Sequence, residues 1–181
     1  MDSKVVAALV VVGALAVWGT WYLARAYGVW KRLHGERLVT CPETGLPAAV
    51  HIDVALAVAG TPGSAPPPLD GCSRWNERGP CDQPCAHAAQ APGRSAAAMV
   101  QAWAQGRGCV SCGGPVVEHG FLRHHIALYE PGGKSREWVD VATDRLPLAL
   151  ATTLPMCWNC HVAATFRELH PELVTDRDFT R

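Results

Sequence analysis

The sequence predicts an α+β fold: one N-terminal transmembrane helix, then a small cysteine-rich domain stabilised by metal. Three observations carry this. Residues 5–24, VVAALVVVGALAVWGTWYLA, contain no charge. Eight cysteines in 181 residues divide by position into two groups of four. Two β-type runs, FLRHHIALY and REWVDV, flank EPGGKS and lie between two C-x-x-C pairs, the second of which opens a helical run.

Twenty uncharged residues are enough for a helix to cross a hydrocarbon core of roughly 30 Å. A cleaved signal peptide is the alternative reading. It fits poorly, because the run is too long and Trp18, Trp21 and Tyr22 occupy the place of a small-residue cleavage site. Tyr27 and Trp30 extend the aromatic belt. Lys4 precedes the span, whereas Arg25, Lys31, Arg32 and Arg37 follow it. The positive-inside rule therefore places the C-terminal domain in the cytoplasm, with the periplasm as the alternative. Residues 1–4 are a short tail and 25–40 a juxtamembrane helical stalk. Residues 41–181 form the cysteine-rich domain, with a Pro/Gly-rich loop, 60–71, inside it.

Sixteen basic residues balance sixteen acidic ones, so no net charge argues for nucleic-acid binding. About 140 residues remain beyond the span and stalk, one ordinary domain. CPETG (41–45) makes a tight turn, and AVHIDVALAVAG (49–60) is ambiguous between strand and helix. Asp82 is a candidate cap for a short helix following it. Ser95 caps a clearer helix that Gly106 stops, with Met99, Val100 and Trp103 as its apolar stripe. Residues 161–170 are helical, with Val162, Phe166 and Leu169 on one face and Pro171 ending the run.

Cys109, Cys112, Cys157 and Cys160 form the tetrad with the stronger signal. A C-x-x-C turn offers two thiolates on one small loop, and zinc wants four such ligands in a tetrahedron. Gly113 gives the turn its backbone freedom, and a helix N-terminus favours the thiolates of Cys157 and Cys160. The order C-x-x-C-G, hairpin, C-x-x-C, helix resembles a treble-clef zinc finger. Within it, CVSCGG…LRHHIALYEPGG…LPMCWNCHVAAT resembles the HNH nucleases over residues 109–165. That resemblance implies His124 or His125 as general base and His161 as a ligand of a catalytic divalent metal. The family's middle Asn is missing before Cys157, which makes a degenerate relative the expectation.

CWNCH (157–161) also resembles the attachment motif of c-type haem. That reading makes Cys157 and Cys160 thioethers and His161 the proximal ligand, with His170, Met99 or Met156 as distal candidates. Cys41, Cys72, Cys81 and Cys85 match no single spacing motif. They suit a second zinc, an iron–sulfur cluster or two disulfides, and His87 is a possible substitute ligand. From Cys41 to Arg177 the chain resembles a group of bacterial membrane-anchored, cysteine-rich proteins. This implies an inner-membrane, single-pass protein and no transferable activity.

The expected function is a membrane-anchored accessory or interaction subunit with two four-cysteine zinc sites, in contact with membrane lipid and with other membrane-protein subunits. The alternatives are a haem or iron–sulfur electron carrier, and a degenerate HNH-like nuclease.

Overall fold

The computed structural model describes residues 3–60, 65–79, 81–116 and 126–173. Helix α1 runs over Ser3–Leu33, about 46 Å at 1.5 Å per residue. It is long and apolar enough to cross a membrane, which is consistent with anchoring. From Val5 to Leu23 its large apolar side chains are exposed. Contact with the rest of the protein begins at Arg25 and Ala26 and deepens through Val29 to the buried Leu33. The domain therefore grips α1 only beyond the charge-free span.

The stalk is helical only to Leu33 and not through residue 40. Gly35, at φ +86, breaks the helix, and Arg37–Thr40 then forms strand β1. β1 pairs antiparallel with β2 (Pro47–Ile52), which pairs antiparallel with β3 (Leu69–Cys72). The ambiguous run 49–60 proves to be both structures in sequence. β2 ends at Ile52, and the Asp53 carboxylate caps helix α2 (Val54–Ala59) by accepting from Leu56 N at 2.9 Å. Short helices α3 (Trp75–Arg78) and α4 (Ala86–Ala89) complete the first half. Its core joins Leu33, Val39, Val50, Ile52 and Leu69 to Ala86 and Ala89.

In the second half, Ser95 caps α5 (Ala96–Ala104), accepting from Ala98 N. Strand β4 (Ala127–Tyr129) pairs antiparallel with β5 (Ser135–Glu137), which gives the expected hairpin in shorter form. Residues 138–140 turn into a 3₁₀ helix instead of continuing β5. Helix α6 (Leu146–Thr152) and strand β6 (Leu154–Met156) follow, and β6 pairs antiparallel with the other edge of β4. Helix α7 spans Trp158–Leu169. The core here gathers Val100, Ala104, Val116, Ile126, Leu146 and Met156.

Glu36 and Arg37 join the halves. Glu36 O accepts from Ala96 N and its carboxylate accepts from the Thr143 hydroxyl. Arg37 is 3% exposed. Its guanidinium donates to the carbonyls of Ala89, Ala91 and Arg32, tying the sheet to the ends of α4 and α1.

Candidate metal centre

The first C-x-x-C is a closed backbone turn. Gly113 N donates to Cys109 O at 2.8 Å, and Cys109 N donates to Gly114 O at 2.7 Å. Gly113 sits at φ +71, the left-handed conformation that glycine adopts without strain. Val110 N donates to Pro155 O at 3.0 Å, which docks this turn on β6 immediately before Cys157. β4 holds β6 in register, Ala127 beside Met156. Strand pairing thus delivers the second cysteine pair to the first. Cys157 is the N-cap residue of α7 and Cys160 lies in its first turn.

The outcome is a cluster in which the sulfurs of Cys109, Cys112, Cys157 and Cys160 all lie within 4.8 Å of one another. Cys112 Sγ is 3.8 Å from Cys157 Sγ. A regular tetrahedron with metal–sulfur bonds of about 2.3 Å has edges of about 3.8 Å, so this contact has the length a single zinc ion requires. The donor set is all thiol, which suits a soft or borderline ion.

The surroundings bias the thiols unequally. Burial alone pushes the Cys109 thiol up, but N–H groups of Cys157, Cys112 and Ser111 outweigh it and hold it at about 6. One of these contacts is Cys157 N to Cys109 Sγ at 3.3 Å. Burial and the other three cysteines push Cys157 up to about 12. Clustered thiols cannot all ionise unaided, and a cation relieves that repulsion.

His161 is 8% exposed and takes no part in the cluster. Its Nδ1 is 2.9 Å from Ser135 Oγ on β5, and its ring tilts against Trp158. Ser135 gave no signal in the sequence, since the contact joins a strand to a helix 26 residues away. Of the candidate haem ligands, Met156 is buried in the second core and Met99 is half-buried on α5. His170 Nδ1 lies 3.5 Å from Glu172 Oε1. His124 and His125, the candidate bases, fall outside the described residues.

The other four cysteines share one region of the first half, but among the described residues only the Cys109, Cys112, Cys157 and Cys160 set is drawn close enough to hold one ion. Cys41 follows β1, where its N–H donates to Leu46 O, and Cys72 ends β3 beside Val50. Antiparallel pairing brings both to the same end of the first sheet. Gln83 places the remaining two. At φ +55 its side chain accepts from Leu69 N at 2.7 Å and donates to Leu69 O at 3.2 Å, acting as a further strand partner for β3. This clamps the 81–85 segment to the sheet, whereas the expected helix cap by Asp82 does not form. Asp82 is exposed, and α4 begins after Cys85 with no side-chain cap.

Cys41, Cys72, Cys81 and Cys85 all line one cavity of about 30 Å³, walled by Ala48, Leu69 and Trp75. Burial raises the Cys85 thiol, and Cys72, Cys81 and Cys41 raise it further. The Thr44 side chain and the Glu43 N–H hold the Cys41 thiol below its ordinary value. His87 is exposed on α4. No disulfide joins any of the eight cysteines.

No protein-family model, curated protein or solved structure matches this chain. The protein is a membrane-anchored chain carrying a cysteine cluster capable of coordinating a metal.

Proposed function

We propose that the protein is an accessory or interaction subunit of a membrane complex, with its domain folded around two zinc ions. The observation that carries this is the mutual approach of four sulfurs, from Cys109, Cys112, Cys157 and Cys160, to within 4.8 Å. Four protein thiolates close the coordination sphere and leave no position for water or substrate, which is the pattern of a structural rather than a catalytic zinc. The order of knuckle, β4–β5 hairpin and α7 supports a treble-clef-like arrangement, with α6 and β6 inserted between hairpin and helix. The second zinc rests on Cys41, Cys72, Cys81 and Cys85 lining one apolar-walled cavity. An iron–sulfur cluster is the alternative there.

The haem reading loses ground on a specific arrangement. Haem c needs Cys157 and Cys160 for the porphyrin, yet both belong to the compact cluster with Cys109 and Cys112.

The interaction role rests on α7. Val162, Phe166 and Leu169 share a face, and that face is exposed at 46%, 47% and 67%. With Trp158 and Leu173 nearby, it borders an open groove. Each is already partly covered, so burying the rest is worth about 1–2 kcal/mol per side chain, an incentive to meet another subunit in the same membrane. By the flanking charges that meeting occurs on the cytoplasmic side. Metal analysis of the purified full-length protein, with its visible spectrum, tests the reading. Two zinc equivalents in a colourless protein support it, and a covalently bound red chromophore ends it.

A further inference from the structure

Helix α2 consists of six apolar residues, VALAVA, and none of them is buried. A helix that is apolar all round is ordinarily covered on every side. Val54 and Ala57 pack against the first core, but Leu56 is 53% exposed, and Ala55 and Ala59 are exposed as well. The position of α2 supplies the missing cover. It packs beside α1, and Arg25 Nη2 donates to the carbonyl of Gly60, the residue that ends α2, at 2.5 Å.

Arg25 is the first residue beyond the charge-free span. The headgroup layer extends about 5–7 Å past the hydrocarbon core on each side, the rise of roughly four helical residues. Gly60 is held within reach of Arg25, so the C-terminal end of α2 stands inside that layer. The exposed Trp21 and Tyr22 of α1 sit within one turn of the same level, where aromatic rings favour the membrane–water boundary.

We propose that α2 is a second membrane contact, an interfacial element whose exposed residues, Ala59 and Leu56 above all, rest against phospholipid at the edge of the bilayer that α1 crosses. The continuity of this face with the span identifies lipid as its occupant. The proposal depends on anchoring through α1 and on neither metal site, and it holds for either orientation. Its consequence is mechanical: the domain stands on two supports and keeps a fixed height and tilt, instead of swinging on a single stalk.

The test uses full-length protein in vesicles of phosphatidylethanolamine and phosphatidylglycerol. A photo-crosslinking benzoylphenylalanine replaces Ala59 or Leu56, each exposed and therefore tolerant of substitution. The same residue at Trp21 is the membrane reference, and at Leu148, 69% exposed on α6, the aqueous one. The expected result is lipid-adduct mass from positions 59, 56 and 21 and none above background from 148. Adducts at 21 with none at 59 and 56, or adducts there to a second protein in place of lipid, would overturn the proposal. Equal lipid labelling at 148 would overturn it too, since lipid contact would then not distinguish α2.

Discussion

Cys112 Sγ stands 3.8 Å from Cys157 Sγ although 45 positions of chain separate them. Neither residue lies in a sheet that would force the approach. The contact follows from two arrangements, the knuckle turn bonded to Pro155 O and the pairing of β6 with β4. If a metal closes this contact, the four cysteines behave as one unit. Cys109→Ser and Cys157→Ser should each lose about one metal equivalent per chain and destabilise the second half alike, because three thiolates do not complete the tetrahedron. Elemental analysis and thermal melts of both variants check this. A Cys109→Ser protein that keeps its full metal content contradicts it.

His161 and Ser135 separate the structural reading from the haem reading. Ser135→Ala should cost about 1 kcal/mol, the usual worth of one hydrogen bond, and leave the metal content unchanged. His161→Ala removes a buried ring as well and should cost about 1–3 kcal/mol, again with metal retained. Denaturant melts paired with metal analysis read both. Loss of a visible absorption band in His161→Ala would instead mark the histidine as an iron ligand.

The first tetrad has its own signature. Changing any one of Cys41, Cys72, Cys81 or Cys85 to Ser should remove a different metal equivalent from the one held by the second tetrad. The double variant Cys72→Ser with Cys157→Ser should be metal-free. Gln83→Ala leaves all four thiols in place but removes the side-chain partners of the Leu69 N–H and carbonyl, and should cost about 1–3 kcal/mol. It should also weaken metal retention at this tetrad alone, measured by chelator competition. Intact disulfides among these four cysteines in the native protein would contradict the assignment.

Metal binding should be proton-coupled in a defined way. At pH 7 Cys109, held at about 6, is already a thiolate, whereas Cys157, pushed up to about 12, is a thiol, and the Cys160 thiol is also raised. A metal arriving at pH 7 therefore expels protons from Cys157 and Cys160. As pH falls through about 6, Cys109 takes up a proton too, and the pH dependence of affinity should steepen by about one proton. Chelator competition across that range reads the slope. A slope that stays constant through pH 6 contradicts the assignment of Cys109.

Much of this was legible in the sequence where the cause is local. The C-x-x-C-G knuckle, the Ser95 cap and the β4–β5 turn each depend on a few neighbouring residues, and each was found. The divided run 49–60 was not, because a single Asp53 separates a strand from a helix in residues of similar hydrophobicity. Strand β6 has three residues and exists only by pairing with β4, some 27 residues upstream, so no local pattern announces it. The face of Val162, Phe166 and Leu169 followed from helical periodicity, but periodicity does not say whether anything covers it. The cavity shared by Cys41, Cys72, Cys81 and Cys85 depends on strand order and on the clamp from Gln83 to Leu69. Their spacing alone left the grouping to a count of eight.

X-ray absorption at the metal edge of the purified full-length protein tests the central claim most directly, in a Cys72→Ser background that leaves only the second tetrad loaded. The account predicts one zinc per chain with four sulfur ligands at about 2.3 Å and no nitrogen ligand, the last because the four clustered thiolates already complete the tetrahedron. A nitrogen in the first shell, iron in place of zinc, or a haem-sized mass bonded to the peptide carrying Cys157 and Cys160 would contradict it.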